Sequence, residues 1–195
     1  MSDETNTVQP ESPIRRILVE SALIVFSILL ALGVNSWADA RKENQLTARV
    51  LRSVRDEISA NRARVQEWEP YHRTMELATH RADSLRVVHS YAQFKSAAPE
   101  WSGFKNPELD GTAWQTAVSL GVINNMGFDT VRVLSSLYTM QAKYDQYWGG
   151  TIQSFDFADA TMSNTVRRMW VYFATIRTNE DSLVNRYAEA LRLLR

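Results

Sequence analysis

The sequence predicts an all-α protein: one N-terminal transmembrane helix continuing into a long helix, followed by a soluble antiparallel helical bundle. Three observations carry this. Ile17–Trp37 reads ILVESALIVFSILLALGVNSW, with one charge at Glu20 and none from Ser21 to Val34. About 20 helical residues rising 1.5 Å each cover roughly 30 Å, the thickness of a bilayer's hydrocarbon core. Chain breakers are scarce, 7 Gly and 5 Pro in 195 residues, and a charged, Ala/Leu/Arg-rich chain with few breakers favours helix. Beyond the apolar run, hydrophobic residues recur by three and four, and no segment reads as a strand.

Composition excludes several function classes. Lys+Arg and Asp+Glu are 22 each, so there is no basic footprint for nucleic acid. There is no cysteine, which removes disulfides, thiolate catalysis and thiolate-held metals. The apolar run is longer than a signal peptide's core and lacks a small-residue cleavage site at its end, so it reads as an uncleaved anchor.

Residues 1–13 are polar and acidic and read as a disordered tail, 14–38 as the transmembrane helix, and 39–195 as a membrane-attached helical domain. Within the anchor, Glu20, Ser27, Ala31 and Asn35 fall on one side at helical spacing. In lipid, small residues permit close helix approach and polar groups bond across the contact, so this stripe is the candidate surface for a partner helix. The plainer reading puts Glu20 and Asn35 at the two headgroup levels.

Ala38–Trp68 has neither Gly nor Pro. Leu51, Val54, Ile58, Asn61, Val65 and Trp68 alternate by three and four, a short heptad seam. It suits one face of a bundle helix better than self-pairing, and Asn61 could fix register in either. Pro70 predicts an interruption, followed by a segment with Met75, Ala78, Ala82 and Leu85 on one side. Tyr91–Gly111 is too aromatic for a free linker and reads as an ordered loop. Helices are then expected over Thr112–Ile123 with Asp110 or Thr112 as cap, from Asp129 to Trp148 with a break at Gly149-Gly150, over Phe155–Ile176, and from Asn179 onward with Glu180 and Asp181 in the first turn.

The segment Glu20–Glu43, ESALIVFSILLALGVNSWADARKE, resembles a group of uncharacterised bacterial proteins. These open with a glutamate-bearing membrane helix ending A-L-x-x-N-x-W, followed by a basic run. The matching positions are Ala31, Leu32, Asn35, Trp37, Arg41 and Lys42, and Gly111–Ala117, GTAWQTA, is similar to a later segment of the group. The resemblance implies a single-pass bacterial membrane protein with a helical domain, and no activity.

Chemistry is thin. His72, Glu76 and His80 stand at i, i+4 and i+8, a spacing that could hold zinc or iron, but no clear fourth ligand accompanies them and a polar helix face accounts for all three. No phosphate-cradling loop or nucleophile elbow occurs, so no catalytic residue and no cofactor is expected. Most aromatics sit at core spacing. Trp101 and Phe104 in the loop, with Tyr147 and Trp148 beside the glycine pair, are the candidate exposed contacts.

The expectation is a non-enzymatic accessory or assembly subunit of a larger bacterial inner-membrane complex, respiratory or photosynthetic for example. Its partners would be the bilayer and other integral membrane helices, or a second copy. A membrane-anchored sensor is the alternative, and a membrane-bound enzyme a weaker one. On sidedness two rules oppose each other. More Lys and Arg follow the span than precede it, which favours a cytoplasmic domain, whereas a short tail closed by Arg15-Arg16 marks a signal anchor and favours a periplasmic one. The expectation leans to the periplasm.

Overall fold

The structure is a computed structural model that describes residues 13–158 and 161–194, without the side chains of 13–16 and 19. The tail reading of residues 1–12 and the side chains of Arg15 and Arg16 lie outside the described residues. Every regular element is helical: α1 Pro13–Leu85, α2 Tyr91–Ala97, α3 Thr112–Ser119, a 3-10 turn Val122–Asn125, α4 Phe128–Ile152 and α5 Met162–Leu193. The chain divides into two compact units, Met1–Gln45 and Leu46–Arg195.

The first unit is the N-terminal part of α1. Its most apolar 18-residue window has a mean hydropathy of 1.9, and none of that window is buried. Among the described residues this one helix is long and apolar enough to cross a membrane, judged by length and composition. Where the apolar run gives way to polar residues, Asn35 Nδ2 donates to Asp39, Lys42 pairs with Asp39, and Arg41 lies over the Trp37 ring.

The second unit is a bundle of the C-terminal part of α1 with α4 and α5. Its directions follow from cross-helix pairs. Glu57, Asn61 and His72 meet Tyr138, Gln141 and Trp148, so α1 and α4 run parallel. His72, Glu76 and His80 meet Glu180, Arg177 and Trp170, so α5 runs antiparallel to both. The α2–α3 segment makes the return between the parallel pair.

The core explains why these segments are helices. On α1, Val54, Ile58, Asn61, Val65, His72, Met75, Thr79 and Ala82 are all buried. With half-buried Trp68 they step by three and four without a gap. The seam therefore runs straight through Pro70, which lies inside α1. Proline there removes one backbone bond, to the Gln66 carbonyl. Burying the next two seam turns outweighs that loss, since each fully buried large apolar side chain contributes about 1.5–3 kcal/mol.

Two other expected breaks are absent for the same reason. α4 passes through Gly149-Gly150 to Ile152, and α5 passes through Asn179 as one helix. Ile176, Glu180, Leu183, Tyr187 and Ala190 form one buried row on α5. Glu180 is thus an interior seam residue, not a first-turn acid. α3 stops at Ser119, short of Ile123, because Gly121 takes a left-handed φ of 67°. Neither expected cap is used at its start. The Ala113 N–H donates to Glu57 Oε2 from α1 at 2.7 Å, which leaves Gly111 as the N-cap without a side-chain bond.

α1 ends at Leu85, and Arg86 follows with φ 51°, a left-handed position where glycine is favoured. Arg86→Gly is expected to raise stability by about 0.5–1 kcal/mol, seen as a higher urea midpoint at unchanged slope.

Candidate functional site

Two polar layers cross the bundle, each built from seam positions that in a simple bundle would be apolar. In the first, Asn61 Nδ2 donates to the Asp110 carbonyl at 2.6 Å and to Gln141 Oε1 at 3.2 Å, and the Asp110 N–H returns a bond to Asn61 Oδ1 at 3.0 Å. Gln141 Nε2 donates to the same carbonyl at 2.9 Å, and the Tyr187 hydroxyl donates to Gln141 Oε1 at 2.9 Å. Arg64 braces the outside, donating to the Glu108 carbonyl and the Asp110 carboxylate. Asn61 thus does more than set register: with Gln141 it clamps the loop before α3 onto α1 and α4.

The second layer is His72 and Glu180, both fully buried. His72 Nε2 lies 2.7 Å from the Lys105 carbonyl, an acceptor, so that nitrogen donates. Nδ1 lies 2.7 Å from Glu180 Oε1, a hydrogen bond across the two helices. The Tyr144 hydroxyl donates to the same oxygen at 3.0 Å. Burial, and then the neighbouring Glu180, push the Tyr144 hydroxyl above the ordinary tyrosine range, so it stays protonated as a donor. Glu180 Oε2 is buried without a partner among the described residues. Tyr71, Trp148 and Phe173 wall the pair at 5.7–6.4 Å from the imidazole. With both side chains sealed from solvent, the pair joins α1 to α5 and presents no reacting atom in this conformation.

This changes the reading of the histidine row. His72 is not on a solvated face. Glu76 pairs with Arg177, which lies above its usual range chiefly because it bonds Glu76, and His80 packs on the Trp170 ring at 4.8 Å. The three side chains take separate partners, and among the described residues no group of three metal-ligating side chains converges.

The expected exposed aromatic contacts are also corrected. Trp101 is 8% exposed, and Phe104, Tyr147 and Trp148 are partly buried against the core. Trp101 meets Phe94, Phe104 and Phe173 edge-on, and Tyr147 stacks on Tyr172. Aromatic area buries more favourably against other rings than in water, so the loop folds back onto α4 and α5.

On the first unit, Ser27, Ala31 and Asn35 line one shallow groove of α1 together with Phe26, Leu30, Val34 and Ala38. Glu20 is on the same side but does not line it. The Ser27 hydroxyl donates to its own helix, to the Leu23 carbonyl at 2.7 Å. It can thus contribute small size to a close approach but no free donor.

No spacing in the sequence marks Asp145. It lines a groove of about 490 Å³ between α3 and α4 with Trp114, Gln115 and Tyr138. Burial pushes its carboxyl up from 3.8 to about 6. The folded state holds this proton more tightly than the unfolded chain does, so its contribution to stability is complete below pH 3.8. It is lost as the pH rises through about 6. Solvent screening of a partly exposed group reduces the effect to about 1 kcal/mol. Asp145→Asn should therefore stabilise the protein by about that much at pH 8 and by almost nothing at pH 4, measured by urea unfolding at both. An equal difference at the two pH values would rule out the desolvated carboxylate.

Set against known proteins, the chain matches no family profile, no curated protein and no solved structure.

Proposed function

We propose that this chain is a single-pass protein of a bacterial inner membrane, not an enzyme, that serves as an accessory or assembly subunit of a larger membrane complex. The observation that carries the reading is the exposed apolar run of α1. Leu23, Ile24, Val25, Phe26, Ile28, Leu29 and Leu30 are each 55–63% exposed. A continuous apolar surface of this size is not left in water, and a bilayer is the solvent that fits its length. In the second unit the fully buried His72 and Glu180 side chains bond each other across α1 and α5, which fits a structural use of these groups. The bacterial setting rests on the likeness of Glu20–Glu43 to the bacterial group.

Mild detergent extraction, native separation and mass spectrometry test the proposal. A stable complex of fixed stoichiometry with other membrane proteins is expected. Recovery of a free monomer or homodimer under gentle conditions would sink it. Ser27→Leu with Ala31→Leu should deplete the partners while the chain stays in the membrane.

A sensor is the second reading, favoured by one observation: α1 carries both the apolar run and His72, one half of a buried hydrogen-bonded pair. A homodimer without further subunits is the result that would select it.

A further inference from the structure

We propose that the groove between α3 and α4 binds an extended organic cation of the diamine or polyamine kind, with Asp145 as its counter-ion. The proposal goes beyond the accessory-subunit reading and does not rest on it.

The groove has the size of a small-molecule site, about 490 Å³. One wall is aromatic: Trp114 and Tyr138 stack in parallel, with centroids 5.5 Å apart and planes 4° from parallel. Tyr138 is 8% exposed, so the half-buried Trp114 ring is what the stack offers the groove, and an aromatic face attracts ammonium through the ring quadrupole. Farther along, Asp145 lines the same groove. It is two helical turns from Tyr138 on α4, about 10 Å at 1.5 Å per residue.

Asp145 forms no hydrogen bond or ion pair among the described residues. Its neighbours are the neutral hydroxyls of Tyr144 and Tyr187, whose interactions with it raise their own proton affinity. Among the described residues nothing offsets the desolvation of this half-buried carboxylate. Elsewhere in this unit the buried carboxylates have partners: Glu57 caps α3 and accepts from Tyr138, and Glu180 holds His72.

Other polar side chains of the groove are also without a hydrogen bond among the described residues: Thr139 lies between Tyr138 and Asp145 on α4, and Gln115 and Ser135 lie at the aromatic end. They are neutral acceptors for ammonium N–H groups. The chemistry therefore runs from an anion at one end, past neutral acceptors, to an aromatic face at the other. This selects a linear cation with an alkyl body. It disfavours anions, which Asp145 repels, and neutral chains, which leave it unpaired.

The test is isothermal titration of the full chain in a non-ionic detergent at pH 8, where Asp145 is ionised. The probes are 1,5-diaminopentane, spermidine, 1,5-pentanediol and the peptide acetyl-Gly-Lys-Gly-amide. Saturable binding of at least one amine is expected, with none of the diol. Asp145→Asn, nearly isosteric, should weaken binding at least about tenfold. Trp114→Leu, at the other end, should weaken it at least about threefold. The two variants are independent readouts, so a fold lost in one leaves the other decisive. Binding of the free amines alone assigns the site to a small metabolite, and binding of the peptide assigns it to a lysine side chain. Silence from all three amine probes, equal binding of the diol, or either folded variant binding like the wild type overturns the proposal.

Discussion

Glu180→Ala is expected to destabilise the bundle by about 3–5 kcal/mol, the usual cost of removing one partner from a buried acid–base pair. The reason is geometric. Glu180 Oε1 takes both His72 Nδ1 and the Tyr144 hydroxyl, so alanine leaves two buried polar atoms without a partner and adds a cavity. His72→Leu should cost nearly as much, since it strands Glu180 and frees the Lys105 carbonyl that anchors the aromatic loop. The double variant His72→Leu/Glu180→Met should recover most of the loss, because apolar side chains of similar volume replace a pair that is expensive to desolvate. A coupling energy of about 2 kcal/mol or more is expected between the two sites. Urea unfolding of the wild type, His72→Leu, Glu180→Met and the double variant, as full chains in detergent followed by circular dichroism, gives all four corners of the cycle. A Glu180→Ala cost below about 1 kcal/mol would mean that the pair is not closed as described.

The physical reason this pair escaped the sequence reading also explains what the sequence conceals. Helix type was legible because apolar residues repeat at three and four over long stretches, and the seam from Val54 to Val65 was read correctly as far as Trp68. Pro70, a local breaker, hides its continuation, and in the sequence alone His72, two residues on, reads as part of a polar face. Local propensity was overruled by burial: Met75 and Ala82 continue the same row, and the row cannot be buried unless the helix continues.

The same error recurs on α5. Glu180 follows Asn179 and precedes Asp181, which is what a helix start looks like. The heptad register from Ile176 to Ala190 places Glu180 inside, and that register was available in the sequence. Asp145 had a weaker signal. Its proximity to Trp114 depends on how α3 packs on α4, and no spacing along the chain encodes that. The transmembrane stripe was legible as a row of small and polar residues. That Ser27 is already bonded to Leu23 was not, because a hydroxyl's choice between its own carbonyl and a neighbour is decided by its rotamer.

The apolar run is where the second large effect is expected. Phe26→Arg with Leu30→Arg should remove the chain from the membrane. Both positions lie near the middle of the run, 63% and 56% exposed, one turn apart on the same side of α1. Each arginine near the centre of a span costs about 2.5–3.5 kcal/mol on insertion, so the pair adds about 5–7 kcal/mol. Side chains this far from either end cannot carry both charges to the headgroups without thinning the bilayer. Alkaline carbonate extraction of membranes should leave the wild type in the pellet and move the double arginine variant to the supernatant. The contrast with Ser27→Leu/Ala31→Leu is informative. That change adds apolar volume, so insertion is kept while close approach of a partner helix is blocked. If the arginine variant stays with the membrane after carbonate, the apolar run is not what holds the chain there. The exposed face of α1 would then have to be covered by protein instead of lipid. If the arginine pair releases the chain while the leucine pair keeps it anchored but strips its partners, the two roles of α1 separate. The length and apolarity of the run would hold the membrane, and the small residues Ser27 and Ala31 would choose the helix beside it.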